Sequence, residues 1–224
     1  MTPVYRNADT LRELHQRLER ALAGLTTSYE IVFVNDGCPA GSGAVLRQLE
    51  AEDSHVRVID LERNEGQHRA VRHGLRAARG KTVVVLDADL QDPPEVIPIL
   101  VGELWRGPAR AVFAGRRGEY QAATRMATSR VFKYLMHCLT GVPRDAGSQV
   151  AMAREVVDRL LLFPVQEPYT LALIGSVGLP MISVPMARPA RPAGCSAYTE
   201  RARLRLAWSG LKIAIYLRWW KWTH

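Results

Sequence analysis

The chain has 224 residues, with 30 lysines and arginines against 22 aspartates and glutamates, so its formal net charge is +8. This length suits one large domain, and the basic balance favours anionic partners such as phosphates, nucleic acid or acidic lipid. Three cysteines without a Cys-x-x-Cys or Cys/His cluster argue against a disulfide framework and a zinc site, and they favour a reducing cytoplasm.

The first part of the chain alternates between helical and strand patterns, after a loop over residues 2–7. Apolar residues at helical spacing predict helices over 9–23, 41–53 and from His68 to Arg79. Short apolar runs predict buried strands at Ile31–Val34, Val56–Leu61 and Val83–Leu86. This alternation predicts an α/β fold with a mostly parallel sheet and helices on both faces.

An acidic cluster, Asp87–Glu95, follows the last of these strands directly. Asp87 and Asp89 are one pleat period apart, so we expect them on the same side of the strand, where they repel unless a cation intervenes. Asp92 could instead cap the helix that the two prolines begin. Carboxylate and amide oxygens suit Mg²⁺ or Mn²⁺, and ligands bind at the carboxyl ends of such strands. The pattern therefore predicts a divalent metal that binds a nucleotide diphosphate.

The run Asp87-Ala88-Asp89-Leu90-Gln91-Asp92-Pro93-Pro94-Glu95 resembles the signature of family 2 glycosyltransferases. It is most similar to those that load a sugar onto a polyprenyl phosphate, the dolichyl-phosphate mannose synthase and bactoprenol glucosyltransferase group. The similarity extends from about Pro3 to about Tyr198. It implies a GT-A (Rossmann-like) fold in which Asp89 and Gln91 hold Mg²⁺ or Mn²⁺, while Asp87 helps to place the nucleoside and the sugar.

The resemblance also implies a nucleotide site built from loops at the ends of the strands. Its residues here would be Pro3, Tyr5, Asp36, Asn64 and Asp87. For Asp36, a turn-forming Asp-Gly pair is the alternative. His68 could contact a phosphate at a helix N-terminus, or be an exposed polar residue.

The start of the chain departs from the family pattern. The family has a hydrophobic strand before Pro-x-Tyr-Asn-Glu, but here that strand is almost absent, and Arg6-Asn7 replaces Asn-Glu. Either the start codon is misassigned or the first strand is truncated.

The second part of the chain carries the residues expected to bind the acceptor phosphate. A strand at Ala111–Gly115 ends in Arg116-Arg117, and a helix follows Arg125. Guanidinium groups bind phosphate oxygens bidentately, so at least one of the three arginines is expected to bind it, although a solvated basic face is the alternative. Asp145 resembles the family's Asp-x-Gly residue, which would orient the acceptor or the sugar as a catalytic group, and a plain turn is its alternative.

A basic loop near residue 190 resembles the family's Arg-x-x-Gly-x-Ser-x-Tyr motif. Arg191, Gly194, Ser196 and Tyr198 match it. The resemblance implies that this loop closes over the diphosphate, where Arg191 offsets the charge on the leaving group and Ser196 donates a hydrogen bond. A disordered basic linker is the alternative.

Residues 200–224 form a basic and aromatic tail that follows a domain over residues 1–199. Aromatic side chains interleave there with arginines and lysines, and the aromatics are Trp208, Tyr216, Trp219, Trp220 and Trp222. Tryptophan and tyrosine favour the membrane–water interface, and cations favour anionic lipid, so we predict an amphipathic interfacial helix. A core helix of the domain is the alternative. No apolar run approaches the roughly 20 residues that span a bilayer, so a separate membrane-spanning partner is a further hypothesis.

These features predict a metal-dependent inverting glycosyltransferase that is peripherally associated with the cytoplasmic membrane face. It would transfer a sugar from a GDP- or UDP-sugar to a polyprenyl (dolichyl or undecaprenyl) phosphate. A same-fold enzyme that acts on a saccharide or natural-product hydroxyl is one alternative, and a non-catalytic partner subunit is another. A nucleic-acid-binding module is suggested by charge alone, and the clustering of aromatics in the tail fits a membrane surface at least as well, so no nucleic-acid partner is predicted.

Overall fold

The computed structural model describes residues 1–117, 123–166, 168–187 and 200–223. For part of these residues it describes the backbone alone, namely 116–117, 123–130, 187, 200–207 and 220–223.

The described residues contain seven strands and eight α-helices, joined by turns and loops. The strands are β1 Thr2–Val4, β2 Ile31–Asn35, β3 Val56–Asp60, β4 Thr82–Val85, β5 Ala111–Arg117, β6 Ala146–Ala153 and β7 Met181–Ala187. The helices are α1 Ala8–Ala23, α2 Ser42–Glu52, α3 Gln67–Ala77, α4 Ile97–Arg106, α5 Ala123–Thr140, α6 Arg154–Leu161, α7 Thr170–Ser176 and α8 Glu200–Thr223. A 3₁₀ turn, Pro94–Val96, leads into α4.

The strands form two hydrogen-bonded groups, in the orders β3-β2-β1 and β4-β6-β5-β7. Strands β1, β2 and β3 pair in parallel, β6 pairs antiparallel with β4 and β5, and β5 pairs in parallel with β7. Met1 joins the two groups, because its nitrogen donates to the Val84 carbonyl at 2.6 Å and its carbonyl accepts from the Leu86 amide at 3.3 Å. The predicted α/β class is confirmed, with β6 as the antiparallel exception.

Helices cover both faces of this sheet. Neighbouring residues on one strand point to opposite faces, so Val112 of β5 packs with the cluster under α1, α2 and α4, whereas Phe113 packs with the cluster under α3, α6, α7 and α8. The acidic turn, residues 87–92, and the loop at 35–38 lie at the carboxyl ends of β4 and β2, so both belong to one edge of the sheet.

Two local predictions need correction, and one helix was missed. Residues 2–4 form the short strand β1 rather than a loop, and the short helix α7 was not predicted. Strand β4 ends at Val85 and residues 88–89 lie in a turn, so the pleat argument for Asp87 and Asp89 is wrong.

Helix α8 buries one of its sides against the rest of the chain. Its buried side is made of Gly210, Ile213, Ala214 and Leu217, which recur at helical spacing and pack toward α5 and α7. One face of the tail therefore belongs to the core of the domain, as the alternative interpretation expected. Among the helices that the structure describes, none has the length and apolar content needed to cross a bilayer.

Candidate active site

A cavity of about 320 Å³ opens where β4 ends and β6 begins. Polar side chains, apolar side chains and two cationic side chains line it. The polar residues are Gln67, His68, Asp87, Ser148 and Thr170, the main apolar residues are Phe132, Met136, Val142, Tyr169 and Ile174, and the cations are Lys133 and Arg144. A larger cavity, of about 590 Å³, lies at the amino ends of β2 and β4, the edge of the sheet opposite the acidic turn. The smaller cavity is the candidate site, because it combines convergent polar groups with an apolar wall.

The acidic turn lies at the rim of this cavity. The Gln67 side-chain amide donates to Asp87 Oδ1 at 2.6 Å, which ties the start of α3 to the end of β4. The backbone amide of Gln91 donates to Asp89 Oδ1 at 3.1 Å. Leu90, between Asp89 and Gln91, has a φ of 59°. This conformation is costly for a bulky residue, and it recurs at functional sites. The turn thus departs from extended geometry between the two expected metal ligands.

Strand β6 holds the far end of the acidic turn. The Ser148 hydroxyl donates to Asp92 Oδ2 at 2.6 Å, and the Gln149 amide donates to the Pro93 carbonyl at 3.2 Å. Asp92 is buried, and the 3₁₀ turn that follows has no side-chain cap. Asp92 therefore anchors the turn to β6 instead of capping a helix.

Asp36 organises the neighbouring loop. Its carboxylate is buried and accepts the backbone amides of Glu65 at 2.7 Å and Gly66 at 3.0 Å. These bonds hold residues 65–66 against the end of β2, just before the cavity residues Gln67 and His68. A nucleotide-binding role for Asp36 stays a prediction; what the structure describes is an anchor for this loop.

Cys38, which stands where the family motif has serine, also lies at this edge. Partial burial opposes ionisation of its thiol, but the hydrogen bond that the thiol makes to the Ser42 hydroxyl oxygen and those it accepts from the amides of Arg6 and Ala40 lower its pKa overall. The contact with Arg6 places the Tyr5–Asn7 loop against residues 38–42. Tyr5 itself is exposed, as is Asn64, while Pro3 is buried in β1.

Asp145 is not among the residues that line the cavity. It accepts a hydrogen bond from the Ser183 hydroxyl of β7, and its carboxylate lies so close to Gly115 that a side chain there would collide with it. The described contacts are those of a link between β5, β6 and β7. Its proposed role toward acceptor or sugar stays a prediction.

The remaining predicted residues cannot be placed in this geometry. Arg191 and Ser196 lie outside the described residues. Arg116 and Arg117 end β5 and Arg125 lies in the first turn of α5, but their side chains are outside the described part of the chain.

Sequence reasoning missed the two cations that line the cavity. Lys133 lies on α5, and Arg144 lies in the loop before β6 with its guanidinium 4.8 Å from the centre of the Tyr134 ring. Lys133 falls inside a helical pattern and Arg144 beside Asp145, and neither position matches a motif. Only the tertiary packing of the chain brings both side chains to the cavity.

His68, at the start of α3, contacts two residues at the start of α7. Its Nδ1 lies 2.9 Å from the Thr170 hydroxyl oxygen, and its ring lies 4.8 Å from that of Tyr169. Burial lowers the pKa of His68 to about 4, so the imidazole is neutral at pH 7. If His68 contacts a phosphate, as one interpretation expects, it does so as a neutral N–H donor. The alternative, that His68 is an exposed polar residue, is wrong.

This partly buried, neutral histidine predicts a specific loss of stability in acid. Because the unfolded state has a histidine pKa near 6.5, it binds the proton more readily than the folded state, and stability falls as the pH drops from about 6.5 to about 4. The loss approaches about 3 kcal/mol at the lower limit. Urea unfolding at pH 7 and pH 4.5 should show a smaller pH dependence for His68→Gln than for the wild type. Equal pH dependence of the two proteins would contradict the assignment.

The acidic turn fits a hard divalent cation in its donor chemistry. Asp89 offers carboxylate oxygen and Gln91 amide oxygen, and Mg²⁺ is commonly held by one or two carboxylates together with substrate phosphates. Within the described ranges, no group of three or more histidine, cysteine, aspartate or glutamate side chains is arranged to hold a metal ion. The residues present thus suit a site that a diphosphate would complete.

The sequence model of glycosyl transferase family 2 matches residues 1–161, which is most of the chain. The chain belongs to glycosyl transferase family 2. The family that the acidic motif predicted is thereby confirmed.

Two curated relatives are similar in sequence to this chain over nearly its whole length. The "uncharacterized glycosyltransferase YkcC" of Bacillus subtilis (strain 168) is 32% identical over 214 residues, which cover 94% of this chain and 66% of the relative. An undecaprenyl-phosphate 4-deoxy-4-formamido-L-arabinose transferase of Pseudomonas fluorescens (strain Pf0-1) is 34% identical over 207 residues, covering 91% and 61%. The chain thus spans slightly less than two thirds of the length of these relatives.

Solved structures share the fold at low sequence identity. Glucosyl-3-phosphoglycerate synthase from Mycobacterium tuberculosis, in complex with Mn²⁺, UDP and glucosyl-3-phosphoglycerate, has a TM-score of 0.67 at 16% identity, covering 96% of this chain and 77% of that one. A mannosyltransferase from Pyrobaculum calidifontis, in complex with GDP-mannose and Mn²⁺, has a TM-score of 0.60 at 20% identity, covering 85% and 55%. The likeness concerns the fold, and it confirms the predicted GT-A class for this family 2 chain.

Proposed function

We propose that this chain catalyses metal-dependent, inverting transfer of a sugar from a nucleotide-diphosphate sugar to a polyprenyl phosphate. One observation carries the proposal: the acidic turn and a partly apolar cavity lined by two cations meet at the carboxyl edge of the sheet. A polyprenyl phosphate combines an anionic head with an apolar chain, and the cavity offers groups for both. The name of the Pseudomonas relative supports the same acceptor class.

The nucleotide diphosphate would lie along the edge formed by the ends of β1, β2 and β4. Tyr5 and Asn64 are accessible there, and Asp36 supports the loop between them and the cavity. Asp87, fixed by Gln67, would orient the nucleoside and the sugar.

Asp89 and Gln91 would hold Mg²⁺ or Mn²⁺, which when bound supplies positive charge beside the diphosphate. The structures of fold neighbours with Mn²⁺ and a nucleotide or nucleotide sugar support a divalent ion of this kind. Arg191 and Ser196 are proposed to offset the remaining charge on the departing diphosphate.

The acceptor phosphate would attack the anomeric carbon in line with the leaving diphosphate, and this displacement inverts the configuration there. A phosphate oxygen is already anionic at pH 7, so the step needs no strong general base. Lys133 and Arg144 join Arg116, Arg117 and Arg125 as candidate phosphate ligands, since cations bind phosphate oxygens strongly. Asp145 stays a candidate for orienting the acceptor.

A membrane surface would deliver this acceptor, and two helices carry suitable side chains. The exposed side of α8 has Trp208, Ile215, Tyr216 and Trp219, opposite its buried side. The exposed side of α5 has Val131, Tyr134 and Leu135. The Arg218 side chain donates to the Cys138 carbonyl at 3.3 Å, which links the two helices. Exposed aromatic and aliphatic side chains beside cations favour peripheral binding to anionic lipid at the cytoplasmic face.

Removing the two α8 tryptophans tests this membrane contact. Trp208→Ala/Trp219→Ala is expected to weaken co-sedimentation with anionic vesicles by at least about tenfold, because each indole contributes apolar area to the interface. Trp105→Ala is the matched control, since Trp105 on α4 is 58% exposed against 60% and 61% for the other two. Equal loss in both variants, or none in the double variant, would contradict a specific interfacial face.

The function itself is tested with a panel of donors and acceptors. GDP- and UDP-sugars are incubated with Mg²⁺ or Mn²⁺ and either a short-chain polyprenyl phosphate in anionic vesicles or a saccharide with free hydroxyl groups. The proposal expects a lipid-extractable product that mild acid cleaves. An acid-stable glycoside would identify a hydroxyl acceptor instead, and donor binding without any transfer would favour a requirement for a separate membrane partner.

A further inference from the structure

His68 has a partner on Nδ1 that neither the family motif nor the proposed chemistry uses. The backbone amide of Thr170 donates to His68 Nδ1 at 3.4 Å, and the Thr170 hydroxyl oxygen lies 2.9 Å from the same nitrogen. A ring nitrogen that accepts an N–H carries no proton of its own. With the Thr170 amide as donor to Nδ1, the proton of the neutral imidazole is assigned to Nε2, which makes Nε2 a hydrogen-bond donor.

The surroundings of this ring favour a neutral, hydroxylated ligand. Tyr169 packs against the imidazole with a tilt of 60°, and the Phe132 ring meets Tyr169 edge-on at 6.1 Å between centroids. All three line the cavity beside Gln67 and Asp87. Aromatic faces suit the C–H faces of a sugar ring, and an amide, a carboxylate and an N–H suit its hydroxyls.

A phosphate is a poorer partner for this histidine than a sugar hydroxyl. An anion next to the ring would favour the imidazolium, which needs a second proton on Nδ1. That proton would face the Thr170 amide hydrogen, and the described bond would be lost. The neutral Nε2–H donor matches an uncharged oxygen.

We propose that His68, held as the Nε2–H tautomer by Thr170, donates a hydrogen bond to one hydroxyl of the donor sugar and so determines which sugar the cavity accepts. This inference rests on the proposed function as far as a nucleotide-sugar donor is concerned, but not on the acceptor. It makes α7, which was not predicted from sequence, a support for a specificity residue on α3.

A double-mutant cycle with modified donors tests the proposal. His68→Phe is expected to lose about tenfold to a hundredfold in affinity for the accepted nucleotide sugar, the usual effect of leaving a buried hydroxyl unpaired, with the nucleotide diphosphate alone bound as by the wild type. One deoxy-sugar donor should lose a similar factor with the wild type and almost nothing further with His68→Phe. Additive losses for every sugar hydroxyl would overturn the proposal.

Two further variants separate a hydrogen bond from a structural role. His68→Gln places an amide N–H where Nε2 lies and should restore part of the affinity, whereas His68→Asn resembles the Nδ1 side and should not. His73→Gln on the same helix, outside the cavity, should bind donor normally. Equal behaviour of the glutamine and asparagine variants would contradict the assigned donor atom.

The tautomer can be measured without any substrate. ¹⁵N-resolved NMR of the imidazole at pH 7 should show the Nε2–H form for His68, and the Nδ1–H form or an imidazolium would overturn the proposal. A wild type that binds no nucleotide sugar would end both this inference and the proposed function. Binding followed by transfer to a hydroxyl acceptor would refute only the proposed acceptor.

Discussion

Replacing Asp89 with alanine is expected to lower kcat by on the order of 10²-fold or more, because it removes the proposed carboxylate ligand of the metal ion whose charge would stabilise the leaving diphosphate. Asp89 lies in the turn at the end of β4, and its Oδ1 accepts the amide of Gln91, the second expected metal ligand. The measurement is sugar transfer at saturating donor over a range of Mn²⁺ concentrations. The Mn²⁺ requirement should rise along with the loss of turnover.

Two comparisons separate this electrostatic role from a structural one. Asp89→Asn keeps an acceptor for the Gln91 amide but loses the charge, so it should fold as the wild type and still lose most turnover. Asp9→Asn removes an exposed acid from α1 and should retain normal activity. Near-normal turnover by Asp89→Ala with metal bound would refute the role.

Gly37→Ala is expected to be the most damaging small substitution, costing about 3 kcal/mol of stability. Gly37 has φ 54°, and a Cβ there would overlap the main chain of Arg63 and Asn64. The conformational cost of a left-handed alanine is about 1 kcal/mol, and the overlap adds about 1–3 kcal/mol by forcing two loops apart. Because these loops carry predicted nucleotide contacts, donor affinity should fall as well. Urea unfolding and donor titration measure the two effects.

Gly41→Ala is the matched control for this substitution. Gly41 also has a left-handed backbone, with φ 80°, but no atom lies within 4 Å of the added Cβ. It should therefore lose only the conformational part, about 1 kcal/mol, and bind donor normally. Similar destabilisation by both alanines would show that close approach of the two loops is not what the glycine provides.

Most elements of the fold could be predicted because their local patterns are strong. Apolar runs identified β2, β3 and β4, and helical spacing identified α1, α2 and α3, each within a few residues of the observed bounds. Strand β1 has three residues and α7 has seven, which is too short for a period to show. The antiparallel direction of β6 depends on tertiary packing, which the local pattern does not encode.

The site also combines residues that a local motif shows with contacts that it does not show. Asp87, Asp89 and Gln91 are adjacent in sequence, so one motif shows all three. The pair of His68 and Thr170 is separated by 102 residues, and the anchor between Asp36 and Gly66 by 30. Long-range pairs of this kind leave no local signal, which is why Asp36 was expected to contact the nucleotide and the support it gives to the loop was not.

A sequence motif indicates some of the cationic side chains expected at the site, but not the two that line the cavity. Arg116, Arg117 and Arg125 follow a family pattern and stay predictions, while Lys133 and Arg144 match no motif. Yet Lys133 and Arg144 line the cavity. Their places in the cavity depend on tertiary packing, which the local sequence pattern does not encode.

The proposed reaction is tested most directly by ³¹P NMR of the acceptor. A polyprenyl phosphate in anionic vesicles is incubated with the protein, Mn²⁺ and the donor sugar selected from the panel. The proposed attack by a phosphate oxygen predicts that the phosphate monoester signal is converted into that of a phosphodiester, in step with release of the nucleoside diphosphate. An unchanged monoester, with the donor consumed by hydrolysis or by transfer to a hydroxyl, would contradict it.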